Sequence, residues 1–405
     1  MSARHCERPL AVRCGAFGDM VLLTALIRVL YAEFRVPVDI VTSGPWSEPL
    51  LRGQPGVGEI FSMRSRKTPY WLSLDQQRVV RRLRARGSSP TWFCDADGAA
   101  RPILDRSGIS SQYIVDVKDH GLLPGEHATE QWRRLAQIMP QRQILPQGQI
   151  LSQGQILPRG QILSQGQILS QGQILPQGQI LPRGQILSQG QAEPPVRVGA
   201  RADIEAIAPG CYLEVPQSRR IELTAWLTAR GLADRPLILV QIGNKRTMRR
   251  GLRRMAVNNK YWPLERWSEV LRYLRQQHPH HAILLLGTGP EFQLNRQLEA
   301  LAAVPGVHNV ANDLPIHRLI ALLDRAAGLL TVDSGPAHAA AAVGCPQVVL
   351  FGKALPSLYR PWGTAGADVQ LLRGEMGGEP SMLGIDTGSV IAAWSRLQLR
   401  AVGSS

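Results

Sequence analysis

The sequence predicts an α/β protein built from parallel sheets with helices on both faces, divided into two parts. Three observations carry this. Short apolar runs alternate with amphipathic helical stretches along most of the chain. Several apolar runs end in small, glycine-bearing turns that open a helix. The chain has 405 residues, of which 44% are hydrophobic, enough for two cores and long for one.

Taken in order, Pro9 to Cys14 reads as a strand and Asp19 to Phe34 as a helix. Val36 to Thr42 is a strand, Arg78 to Arg86 a basic helix and Thr91 to Cys94 a strand. A second series follows. Pro236 to Ile242, Ala282 to Leu286, Gly328 to Val332 and Gln347 to Phe351 read as strands. Leu264 to Gln277, Glu291 to Ala303, Leu314 to Ala326 and Ala337 to Val343 read as the helices between them. In such sheets ligands bind beyond the carboxyl ends of the strands.

Between the two series lies a tandem repeat. Gln143 to Gly190 is eight copies of Gln-Ile-Leu-(Ser/Pro)-(Gln/Arg)-Gly. A hexapeptide period can signal a β-helix, but 48 residues make fewer than three coils. Recurrent Pro and Gly favour a linker insert of low complexity. The expected division is therefore residues 1–142, the insert 143–190, and residues 191–405.

Composition narrows the function. The formal net charge is +15, which fits an anionic partner. Aromatics are only 5%, and no nucleic-acid signature appears, so nucleic acid is not the expected partner. The five cysteines are scattered without a C-x-x-C pair, which points away from zinc and from a disulfide framework. No stretch reaches eighteen apolar residues, and the first apolar strip is broken at Arg13. A soluble cytoplasmic protein is expected, with peripheral contact at an anionic membrane face left open.

Four turns are candidate sites. Arg13-Cys14-Gly15-Ala16-Phe17-Gly18-Asp19 links a strand to a helix, with Asp19 either a helix cap or a general base facing a cleft. Asp333-Ser334-Gly335-Pro336-Ala337-His338 joins an apolar strand to an alanine-rich helix. Its amides form a phosphate site at the positive helix end, with Pro336 suited to the first helical position. Asp333 and Ser334 as caps, and His338 as a half-buried donor to a carbonyl, are the structural alternatives. A basic run, Lys245, Arg246, Arg249, Arg250, Arg253, Arg254 and Lys260, follows the strand ending at Ile242. It is either a solvated face or an anion site. Leu286-Gly287-Thr288-Gly289-Pro290-Glu291 places a carboxylate where it accepts from a ribose or merely favours a helix start. A fifth pair, Asp95 and Asp97, has D-x-D spacing but no supporting ligands, and reads as a polar loop.

Together these segments resemble glycosyltransferase family 9, the lipopolysaccharide heptosyltransferases. The Arg-x-Gly-x-x-Gly-Asp loop before Val21-Leu22-Leu23-Thr24 resembles the family's N-terminal signature, although Ala25 stands where the family usually has Pro. Lys260-Tyr261-Trp262-Pro263 is similar to its Lys-x-Trp-Pro block, and the Asp333–His338 turn to its Asp-(Thr/Ser)-Gly-x-x-His motif. Phe351-Gly352 and Pro361-Trp362-Gly363 resemble its downstream block.

The resemblance implies the GT-B architecture, two Rossmann-like domains facing a cleft. It implies an inverting, metal-independent sugar transfer without a cofactor. It implies a nucleotide-diphosphate sugar as donor, with ADP-heptose the candidate, and an anionic glycan or glycolipid as acceptor. Asp19 becomes the general base. Lys260 and the Ser334–Gly335 amides hold the diphosphate, Asp333 and His338 contact the diphosphate-sugar region, and Glu291 the nucleoside. Arg13, Gly15 and Gly18 shape the acceptor-side loop. Two alternatives stay open: a non-catalytic sugar-nucleotide-binding protein, and a GT-B transferase or epimerase with a UDP or GDP donor.

Overall fold

A computed structural model describes residues 8–95, 97–140, 207–244 and 260–401. The hexapeptide repeat and the basic residues from Lys245 to Arg254 lie outside the described residues.

The first sheet has five parallel strands: β1 (Leu10–Val12), β2 (Val38–Ser43), β3 (Val57–Met63), β4 (Thr91–Phe93) and β5 (Ile114–Asp116). Their spatial order is β3-β2-β1-β4-β5. The second sheet has six parallel strands: β6 (Leu237–Gln241), β7 (Ala282–Leu285), β8 (Val307–Asn309), β9 (Gly328–Val332), β10 (Gln347–Phe351) and β11 (Val369–Arg373). Their order is β11-β10-β9-β6-β7-β8. Burial on both faces explains why the central strands β1, β6, β7, β9 and β10 are largely continuous apolar runs rather than alternating ones.

Each sheet reverses its winding direction at one point. In the first sheet this is between β1 and β4, and in the second between β6 and β9. A crevice forms at such a point because successive connections leave on opposite faces. The loops after β1, β6 and β9 therefore open beside the two crevices, and they carry the candidate residues other than Glu291, which follows β7.

The helix after β1, α1 (Phe17–Phe34), is apolar around most of its circumference. A helix of that kind needs cover on more than one side. Its cover comes from the helix Ala128–Ala136, from the first sheet and from the helix after β9, Gly335–Ala342. One continuous apolar core thus runs from Leu23 and Leu26 of the first half to Ala339, Ala340 and Leu213 of the second. Polar links flank it. The Thr24 hydroxyl accepts from the Tyr212 amide at 3.2 Å, and the Gln54 carboxamide exchanges two hydrogen bonds with the Glu214 backbone at 2.8 and 3.0 Å. His127 Nε2 lies 2.8 Å from the Arg360 carbonyl, with its ring edge-on to Trp362.

Candidate active site

The loop after β1 is organised by Arg13. Its guanidinium donates to the Cys94 carbonyl at 2.5 Å and to Asp19 Oδ1 at 2.6 Å, and it lies over the Trp132 ring. Burial works against the charge of Arg13, but Asp19, with Cys94 and Asp95 nearby, holds the guanidinium pKa above its ordinary value. The other Asp19 oxygen accepts from the Ala16 amide at 2.7 Å. Asp19 therefore occupies the third position of α1 and satisfies the amide of the capping residue, which is Ala16. Its side chain keeps 32% exposure. Gly15 is required here. A Cβ on it would fall 2.5 Å from the Asp19 side chain.

The turn after β9 is pinned from two sides. Lys260 Nζ donates to the Asp333 carbonyl at 2.8 Å and pairs with Asp333 Oδ2 at 2.7 Å. The Ser334 hydroxyl donates to Gln241 Oε1 at 3.0 Å, where the Thr331 hydroxyl also donates, at 3.2 Å. Thr331 and Gln241 are register partners across β9 and β6, so the contact is fixed by the sheet itself.

One structural alternative and one expectation are corrected at this turn. Ser334 sits at the cap of the following helix, α2 (Gly335–Ala342), but gives it no side-chain cap. Its hydroxyl is turned toward Gln241, to which it donates, rather than toward the helix amides. Pro336 occupies the second helical position rather than the first, where its missing N–H is equally harmless.

His338, on the first turn of α2, is 6% exposed rather than half-buried. Its Nδ1 has no hydrogen-bond partner among the described residues, so no carbonyl satisfies it. Burial pushes the imidazole pKa down to about 4, with the Asp333 carboxylate pulling in the other direction.

The two turns touch. A Cβ on Gly335 would lie 2.4 Å from Phe17 Cδ1 and 3.0 Å from the Gly18 amide nitrogen. One on Gly18 would lie 3.0 Å from His338 Cδ2 and 3.3 Å from Gly335 Cα. These glycines let two helix N-termini approach face to face. Each terminus carries about half a positive charge. Asp19 and Asp333 stand beside them, with Lys260 alongside Asp333.

Glu291 lies at the far side of the second sheet's crevice. It closes a short 3-10 turn, Gly289–Glu291, instead of starting the following helix. Its Oε2 accepts from the Thr288 amide at 2.8 Å and hydroxyl at 2.7 Å. Its Oε1 is buried without a partner among the described residues. Burial raises its pKa although both Thr288 bonds lower it. A Cβ on Gly243 would sit 2.6 Å from Oε1, so the carboxylate rests against the backbone at the end of β6.

Asp95 and Asp97 are bridged by the Arg66 guanidinium, which gives that pair a cation of its own. Among the described residues no group of three His, Cys, Asp or Glu side chains is placed to hold a metal. Sequence reading missed Gln241, Arg66 and His127. For Gln241 a signal existed: a polar residue ends the apolar strand Leu-Ile-Leu-Val-Gln. Arg66 and His127 offered none, since their partners are far away in sequence.

Comparison with known proteins supplies the deciding observation. Residues 244–376 match the family model for glycosyltransferase family 9 (heptosyltransferase). This stretch is similar to glycosyltransferase family 9. It contains Lys260, Glu291 and the whole Asp333–His338 turn. A curated relative, lipopolysaccharide heptosyltransferase 3 of Escherichia coli, is 32% identical over 106 residues. That alignment spans 25% of this chain and 30% of the relative.

Solved structures match far more of the length. A family 9 glycosyltransferase from Veillonella parvula aligns with a TM-score of 0.65 at 16% identity, covering 96% of each chain. The E. coli ADP-heptose lps heptosyltransferase II aligns with a TM-score of 0.60 at 17% identity, covering 96% of this chain and 97% of that one. E. coli heptosyltransferase WaaC with ADP aligns with a TM-score of 0.58 at 15% identity, covering 96% and 99%. The fold is GT-B, and the stretch similar to family 9 lies within its second sheet and the helices around it.

Proposed function

We propose that the protein is an inverting glycosyltransferase that moves a heptose or a related sugar from a nucleotide-diphosphate sugar to a lipopolysaccharide-type acceptor. ADP-heptose is the donor. The chain divides at residues 1–142 and 191–405 about the 143–190 insert, the first part serving the acceptor and the second the donor. The site operates at the cytoplasmic face of the inner membrane.

The observation that carries this reading is the convergence of two helix N-termini on one place, flanked by Lys260 and two carboxylates. A diphosphate suits it. Backbone amides and an ammonium accept its charge without a cation. Support for adenine as the donor base comes from similar solved structures: one E. coli heptosyltransferase WaaC structure holds ADP, another ADP-2-deoxy-2-fluoro heptose.

In this reading Asp19 takes the proton of the acceptor hydroxyl while that oxygen attacks the anomeric carbon. The bond from the anomeric carbon to the β-phosphate oxygen breaks, and ADP leaves with the electron pair. Lys260 and the Gly335 end of α2 hold the developing charge, with Ser334 kept in place by Gln241. Asp333 and His338 line the diphosphate-sugar region, and the orphan Glu291 Oε1 receives a donor hydroxyl of the nucleoside. Arg13 orients Asp19, while Gly15 and Gly18 keep the approach to it narrow.

Thermal-shift titration with ADP-, GDP- and UDP-sugars tests the donor. A ligand at a hundred times its Kd stabilises by about 2.7 kcal/mol. ADP-heptose is expected to shift Tm at concentrations where the GDP- and UDP-sugars do not. A response to UDP- or GDP-sugars alone overturns the donor assignment.

A further inference from the structure

The loop that follows β3 carries the largest exposed apolar side chains near the acceptor side. Trp71 is 74% exposed, Leu72 59% and Leu74 73%. They sit at the start of the helix Leu74–Arg86, whose inner face buries Val79, Val80 and Leu83. Leu74, Arg78 and Arg81 recur at helical spacing on the opposite, outer face and are exposed. From Arg64 to Arg86 the chain has eight Lys or Arg and one acid, Asp75. Asp75 pairs with Arg64 and Arg78, while Arg66, Arg82 and Arg86 pair with Asp95 and Asp97, Glu59 and Asp39, so the positive charge left on the surface is that of Lys67, Arg81 and Arg84. An aromatic and two leucines rimmed by cations is the composition of a helix that lies in a membrane interface.

The position of this surface gives it a purpose. The loop leaves the carboxyl edge of β3, the same edge at which β1 delivers Asp19. Arg66 of that loop reaches back to Asp95 and Asp97 after β4, tying the patch to the mouth of the first sheet's crevice.

We propose that Trp71, Leu72 and Leu74, with Lys67 and Arg81 around them, form a docking surface for an anionic lipid bilayer. The apolar side chains enter the headgroup boundary and the cations face anionic headgroups. Docking there turns the acceptor side of the site toward the membrane in which a lipid-borne acceptor is anchored. This deepens the membrane-side part of the reading above and rests on it for the acceptor's location. Vesicle binding is read without any sugar transfer, so failure of either leaves the other standing.

The test is co-sedimentation of the full chain with vesicles of phosphatidylglycerol and phosphatidylcholine, against phosphatidylcholine alone. Each cation held near an anionic surface contributes about fivefold in partition. The wild type should sediment with the anionic vesicles only. Trp71→Ala/Leu72→Ser/Leu74→Ser should lower partition at least about tenfold, and Lys67→Glu/Arg81→Glu by a comparable factor, each with unchanged Tm because the positions are exposed. Wild-type partition in the triple variant overturns the proposal. So does preferential retention of a single-stranded RNA through the same residues. A vesicle-independent dimer lost in the triple variant would assign the surface to a second copy instead.

Discussion

Burial of the His338 imidazole has a consequence for stability. In the folded chain its pKa is held down to about 4, against about 6.5 in the unfolded chain. As pH falls below 6.5 the unfolded state takes up a proton that the folded state refuses. Stability is therefore complete above pH 6.5 and lost as pH falls toward 4, by up to about 3 kcal/mol. His281, also pushed to about 4 by burial, adds to the loss. Urea midpoints at pH 7 and pH 4.5 check this. His338→Gln should narrow the gap between the two midpoints, and an unchanged gap would show that His338 is not the group responsible. Lys260 gives a second test at this scale. Lys260→Ala removes the partner of Asp333 and a charge from the proposed diphosphate site. Charge-assisted hydrogen bonds contribute about 1.5–3 kcal/mol, so donor Kd by calorimetry should rise about tenfold or more.

At the scale of elements, the approach of α1 to α2 is set by glycines. Gly335→Ala would drive a methyl into Phe17 and the Gly18 amide. Overpacking of this kind costs about 1–3 kcal/mol. The variant should lose Tm and bind donor more weakly, and Phe17→Leu added to it should restore part of both. Equal stability in Gly335→Ala would mean the two helix ends are not held together. The elements themselves were largely legible in the sequence. Leu264–Gln277, Gly328–Val332 and Gln347–Phe351 fall where the apolar patterns place them. Missed strands have a common cause. Ile114–Asp116 and Val307–Asn309 are three residues long and, unlike the equally short but fully buried β1 and β4, only partly buried, so no apolar run marks them. Val57–Met63 and Val369–Arg373 lie at sheet edges and are only half-buried, so their sequences are less apolar. The motif residues were found because turns at strand ends are local. The contact between Gly18 and Gly335 was not, because it depends on how two distant segments pack.

For the whole molecule, the shared core along α1 means that the two sheets are joined by packing as well as by chain. The repeat at 143–190 lies outside the described residues, and chain length costs stability only logarithmically. Excision of Gln143–Gly190 should leave a soluble chain with wild-type Tm and donor affinity. Loss of soluble expression would assign the repeat a structural role. The central claim is that Asp19 is the base of a sugar transfer whose donor is held by the other half of the chain. Asp19→Asn keeps an acceptor for the Ala16 amide but loses the charge opposite Arg13, for about 1–2 kcal/mol at this partly exposed position. The most direct measurement is acceptor-dependent release of ADP from ADP-heptose by the wild type and by Asp19→Asn, with donor Kd measured on both. General-base catalysis contributes about 10²–10⁴-fold. The variant should release ADP at least about a hundredfold more slowly at unchanged donor Kd. Wild-type release by Asp19→Asn would contradict the account and leave Asp19 as a helix-terminal anchor.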